Sequence, residues 1–248
     1  MSQNNTIFAF EDAKNKISVS SRKLYLYLIW TTIIGIVLAV VLLITLLVFL
    51  AALGLSITDF DLENIYESAE TLIGSGLLTS GLVMVILLVI AILALIIISI
   101  MSYVQYYRLG TGFSKLHASD PRTETNRYIS FGIYGYVLAV VAGIFIPGTF
   151  GTVVTLLGNV SLAFGVFLVY QLFQGYAEQG RFKGKHSIIL FIGIALNVVA
   201  SITIFFNDFG IVGSLVGFIL MLIGFRNLSR DIMLVEPPKG EAVPKKDV

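Results

Sequence analysis

No cysteine occurs in the chain, which excludes disulfides, thiolate metal sites and cysteine nucleophiles. Charge is scarce as well. Asp, Glu, Lys and Arg make up 12% of the 248 residues, about half the ~25% usual in soluble domains, and the mean hydropathy is +0.93. From Tyr128 to Ala177 there is no Asp, Glu, Lys, Arg or His at all. That stretch is too long for one membrane crossing, which takes about 20 apolar residues, and suits two. Ile146-Pro147-Gly148-Thr149 sits in its middle, a helix breaker beside a permissive turn residue.

What is present is a series of apolar runs. The fold class expected is all-α: a polytopic membrane protein of six spans at 24–55, 71–107, 128–146, 150–174, 187–206 and 209–225, paired as three helical hairpins. The uncharged run from Leu24 to Thr58 is far longer than the roughly 7–15 apolar residues of a cleavable leader, so it is expected to stay in the bilayer as an anchor. Trp30, with Tyr25 and Tyr27, fits an interfacial aromatic belt. Residues 1–23 form a polar segment in which Ile7, Phe10, Lys14 and Ile17 share one helical face. It is expected to lie along the membrane surface or to fray. The tail, 229–248, is proline-rich and of mixed charge, and is expected to be disordered.

The segments between spans are sharply divided by charge. All 16 Lys and Arg fall on one side: four in the N-terminal segment, four in the second loop, three in the fourth and five after the last span. The first, third and fifth loops have none. Basic residues near span ends are retained in the cytoplasm, so both termini are expected there. The outer side carries only acid, namely Asp59, Asp61, Glu63, Glu67 and Glu70 in loop 56–70, and Asp208 in the Asn207-Asp208 turn. The sequons at Asn4, Asn159 and Asn227 are therefore expected to stay unglycosylated.

The last two hairpins read as a tandem repeat. Phe150-Gly151, Gly158 and Gly165 recur as Phe209-Gly210, Gly217 and Gly224 at an offset of 59, and Val140-Val141-Ala142 recurs as Val198-Val199-Ala200 at 58. Gly74 and Gly81 share the seven-residue spacing, which makes the first hairpin a candidate third copy. Small residues let helix backbones approach closely in lipid, so Gly151, Gly158, Gly165, Gly213, Gly217 and Gly224 are expected to form helix-contact seams, and Gly217→Leu to disrupt assembly.

Chemistry is harder to find. Ionisable residues at membrane depth mark catalytic and transport sites, and no span contains one. Asp59-x-Asp61-x-Glu63 lacks the glycine and distal glutamate of a calcium loop and reads as a solvated acidic face. His117 and His186 stand in basic loops without clustered ligands, so they are expected to be solvated and not to hold metal. Gly110-Thr-Gly112-Phe-Ser-Lys115 lacks the order of a phosphate loop. Neither a cofactor nor a nucleic-acid partner is indicated, and the basic loops are topology determinants that touch anionic lipid headgroups. Asn159 and Asn197 are the deepest polar side chains, suited to interhelical hydrogen bonds. Alternatively, with Thr152, Thr155, Ser161, Ser201 and Thr203, they line a polar path.

Tyr107-Arg-Leu-Gly-Thr-Gly-Phe-Ser-Lys-Leu116, Asp120-Pro-Arg122 and the ending Ile223-Gly-Phe-Arg-Asn-Leu228 resemble uncharacterised multi-pass membrane proteins of archaea over about residues 80–230. The resemblance implies an archaeal cell membrane and brings no activity with it. The expected role is a non-enzymatic structural or interaction component of that membrane, partnered by lipids and by copies of itself or another membrane or envelope protein. The alternative is a small transporter or channel.

Overall fold

A computed structural model of the chain describes residues 3–52, 77–120, 125–203 and 209–238. Six α-helices account for nearly all of them: α1 Gln3–Ala52, α2 Leu77–Ser119, α3 Thr125–Phe145, α4 Thr149–Glu178, α5 Ile189–Thr203 and α6 Phe209–Asp231, with a 3₁₀ turn at Ile232–Leu234. The described residues contain no strand. All the helices except α5 are long and apolar enough to cross a membrane. α5 has 15 described residues, about 22 Å at 1.5 Å per residue, and the rest of the run expected to 206 lies outside the described residues. So do the acidic loop 56–70, Gly74 and the Asn207-Asp208 turn.

The chain divides into two compact units. Tyr27–Met101 holds the apolar parts of α1 and α2, whose side chains face outward: Ile36 is 60% exposed and Ile97 59%. Contiguous apolar surface of this extent does not persist in water and matches a lipid environment. The hydroxyls of Thr31, Thr32 and Thr45 are satisfied within the helix, donating to the carbonyls of Tyr27, Leu28 and Val41.

The other unit combines 1–26 with 102–248. Here α3 and α4 form one antiparallel hairpin, α5 and α6 another, and α4 packs on α5. Pro147, which lacks an N–H, closes α3. Gly148 then takes φ 71°, a left-handed conformation open to glycine without a Cβ penalty.

Three expectations are corrected at the charged end of this unit. From Gln3 the N-terminal segment is not a frayed end but the first part of α1, and the face expected to meet the membrane is turned inward: Phe10, Ala13, Lys14, Ile17, Ser20, Ser21 and Leu24 make a buried stripe at helical spacing. The basic second loop is largely helix, because α2 continues to Ser119. Leu109, Phe113 and Leu116 keep the helical period and are buried, which outweighs the roughly 1 kcal/mol per glycine that Gly110 and Gly112 cost a helix. Those glycines serve contact instead: a Cβ on Gly112 would lie 2.6 Å from Ile17, and one on Gly110 2.7 Å from the Tyr134 ring. Finally, the segment after 228 is ordered at least to Pro238. Ile232 and Val235 are buried, and burial of their side chains offsets the entropy of fixing the chain.

Candidate functional site

The predicted glycines lie within the two hairpins. In α3–α4, a Cβ on Gly165 would approach the Gly132 Cα to 3.3 Å, one on Gly158 the Ala139 Cβ to 2.7 Å, and one on Gly151 the Gly143 carbonyl to 2.8 Å. In α5–α6, a Cβ on Gly217 would lie 2.8 Å from the Gly193 carbonyl and 2.6 Å from the Asn197 amide nitrogen. On Gly224 it would meet Leu190, and on Gly213 it would come within 3.4 Å of Ala200. These approaches are all within one chain. Within the chain, Gly217→Leu would strike the α5–α6 hairpin.

The two asparagines differ. Asn197 is fully engaged: its Nδ2 donates to the Gly193 carbonyl at 3.0 Å and reaches Met221 Sδ at 3.2 Å, while its Oδ1 accepts from Ser214 Oγ at 3.1 Å. It is a polar tie between α5 and α6. Asn159 is half-buried, and its side chain has no hydrogen-bond partner among the described residues. It borders a cavity of about 620 Å³ lined mainly by α4 residues, with Gly143 of α3, Ile146 and Gly148 of the turn between them, and Ser201 of α5. Ser161 lies elsewhere, donating to the Gly132 carbonyl at 3.0 Å.

A second site, which the sequence reading missed, lies at the opposite end. α4 closes with a Schellman motif: Gly180 adopts φ 67°, its N–H donates to Ala177 O at 2.9 Å, and Arg181 N–H donates to Tyr176 O at 2.9 Å. This reversal turns Arg181 inward. Its Nη1 meets Asp120 Oδ2 at 2.6 Å with both side chains buried. Its guanidinium lies 4.7 Å from the Tyr176 ring centroid and 5.3 Å from that of Phe10. Its Nε donates to the Glu236 carbonyl at 3.1 Å, and Glu236 N–H donates back to the Arg181 carbonyl at 2.8 Å. One backbone and one side-chain hydrogen bond thus hold the C-terminal segment against Arg181.

Lys14 and His186 complete the cluster. Lys14 Nζ donates to Val235 O at 2.6 Å and pairs with Glu11 at 3.0 Å. Ser18 donates to Ser229 O at 2.6 Å, and Lys115 meets Asp12 at 2.8 Å on the surface, holding the Asp12 carboxyl below its usual range. His186, expected to be solvated, is buried. It stacks on Phe173 with centroids 4.1 Å apart, and its Nδ1 lies 2.9 Å from Asp231 Oδ2. Arg230 Nε holds the other oxygen of that carboxylate at 3.1 Å. The signal was the pairing of acids with bases at 11–16, 120 and 178–186, which charge counting by side hid. Among the described residues, no group of three or more His, Asp or Glu is placed to hold a metal ion.

Burial lowers the His186 pKa from its ordinary 6.5, with the Asp231 hydrogen bond and charge opposing. The folded state therefore binds fewer protons here than the unfolded one. The stabilisation is complete above pH about 6.5 and is lost as the pH falls through and below that value. Once the base-catalysed slowing of exchange itself is divided out, the protection of amides 226–236 is expected to fall between pH 7.5 and 5.5 in the wild type and much less in His186→Phe. An equal fall in protection in both would exclude His186 as the cause.

Comparison of the chain with protein-family models, curated proteins and solved structures finds no match in any of the three.

Proposed function

We propose that this chain is a non-enzymatic, multi-pass component of an archaeal cell membrane, with six spans and both termini cytoplasmic, whose role is structural or to bind another membrane or envelope protein. The observation that carries this reading is the use made of polar groups. Asn197, the deepest polar group of the last hairpin, is consumed in holding α5 to α6. The charged cluster lies at the one end where the basic residues gather, and there it ties chain segments together.

The hairpins are tandem copies in this reading. An offset of 58 in the first helix and 59 in the second carries contact onto contact. Ala139 against Gly158 becomes Asn197 against Gly217, Gly132 against Gly165 becomes Leu190 against Gly224, and Gly135 against Ser161 becomes Gly193 against Leu220. Close packing alone predicts glycine spacing but not this register.

The native mass of the protein in lipid nanodiscs, with co-purifying species identified, tests the role. A defined complex with a second protein, or a discrete oligomer, is expected. A lone monomer that copurifies with nothing would overturn it. One observation favours transport as a second reading: the cavity beside Asn159 reaches from α4 to Ser201 of α5. Solute flux lost in Asn159→Leu, in a variant that keeps the wild-type stability, would support that path.

A further inference from the structure

The α3–α4 turn end holds the cavity of about 620 Å³, well within the size of small-molecule sites and far beyond the ~30 Å³ share of one water. Four features of its lining constrain what it accepts. Asn159, half-buried, presents an amide with no partner among the described residues, free to donate and to accept towards the cavity. The hydroxyls of Thr155 and Ser201 already donate to their own helices, to Gly151 O at 3.0 Å and Asn197 O at 2.7 Å, so towards the cavity they offer oxygen lone pairs. None of the lining residues is ionisable, so a charged group would enter without a counter-charge. The exposed part of the lining is mixed, with apolar Ile146 and Val153 beside Thr149 and Thr152, and the neighbouring Phe145 and Phe150 are 80% and 79% exposed.

A lining that offers acceptors at Thr155 and Ser201 and both a donor and an acceptor at Asn159 suits a hydroxyl, which donates and accepts. Absent charge calls for a neutral ligand, and an entrance edged by Ile146 and Val153 on a membrane helix admits what arrives along lipid chains. We infer that the cavity binds the uncharged, hydroxyl-bearing headgroup of a membrane lipid, with Asn159 as the principal hydrogen-bonding side chain and the tails leaving past Ile146 and Val153. The inference does not depend on the interaction role proposed above.

The test uses the full-length protein in nanodiscs doped with a diacylglycerol that carries a diazirine near its headgroup. After illumination, cross-linked residues are mapped by mass spectrometry. Adducts are expected to concentrate within 143–159. They should fall about five- to tenfold in Asn159→Leu, as for loss of one or two hydrogen bonds, and persist in Asn159→Gln. Val153→Trp, a change at an exposed rim position, should block labelling without disturbing the fold. The 3-methyl ether of the same lipid, which lacks the donor, and the corresponding phosphatidic acid, which adds charge, should label weakly. Adducts spread evenly over the exposed faces of α1 and α2, and unchanged in both variants, would overturn the proposal. So would phosphatidic acid labelling 143–159 as well as diacylglycerol does.

Discussion

Arg181→Ala is expected to lower stability by about 3–5 kcal/mol, the usual cost of removing one partner from a buried ion pair. The loss is mainly that of the partner left behind. Asp120 is buried, and removing the guanidinium at 2.6 Å takes that counter-charge from its carboxylate. The Glu236 carbonyl also loses its donor. Titrating the protein in dodecyl maltoside micelles with sodium dodecyl sulfate, and following loss of helicity, measures the difference. Arg181→Lys should recover only part of it, because a compact ammonium cannot serve Asp120, Gln179 and the Glu236 carbonyl as one planar fork does. The double variant Asp120→Leu/Arg181→Met should recover most of it, since apolar replacement of a whole buried pair is often neutral. A loss below about 1 kcal/mol for Arg181→Ala would place the pair with solvent-screened ones.

Gly217→Leu is expected to unfold the α5–α6 hairpin in the same titration, at a cost at or above the upper end of the roughly 1–3 kcal/mol typical of overpacking. The first atom added has nowhere to go: one neighbour is the Gly193 carbonyl at 2.8 Å, which is backbone, and the other is the Asn197 amide, whose displacement would break its bonds to Gly193, Met221 and Ser214. Gly213→Ala makes the internal control. Its Cβ would meet Ala200 at 3.4 Å, an ordinary contact, so it should be nearly neutral. Equal effects from both substitutions would show that glycine content, and not this contact, is what α6 requires.

The membrane-spanning part was legible because apolar runs, Pro147-Gly148 and the glycine spacing are local signals, each acting within a turn or two of itself. Helices α3, α4 and α6 begin within about three residues of the expected places for that reason. The ends at the charged side were not. Nothing local tells Arg108 that α2 continues. That follows from Ile17 packing on Gly112, nearly a hundred residues away. His186 was misplaced on the same ground, since a histidine among Lys183 and Lys185 looks solvated until Asp231 and Phe173 are brought to it. Asn159 and Asn197 looked equivalent in sequence and are not, because Ser214 and Met221 reach only the second. An amide's satisfaction is a tertiary property.

The bond from Lys14 to the Val235 carbonyl spans 221 positions, and this has a consequence for biogenesis. At roughly 5–20 residues per second, a ribosome that has made Lys14 needs about 10–45 s more to make its acceptor. Ile17 can meet Gly112, and Phe10 can meet Arg181, as soon as those residues are made, but Lys14 has no Val235 acceptor until the last helix is complete. The final tie therefore joins the first helix made to the last, and a chain halted before Val235 would lack it.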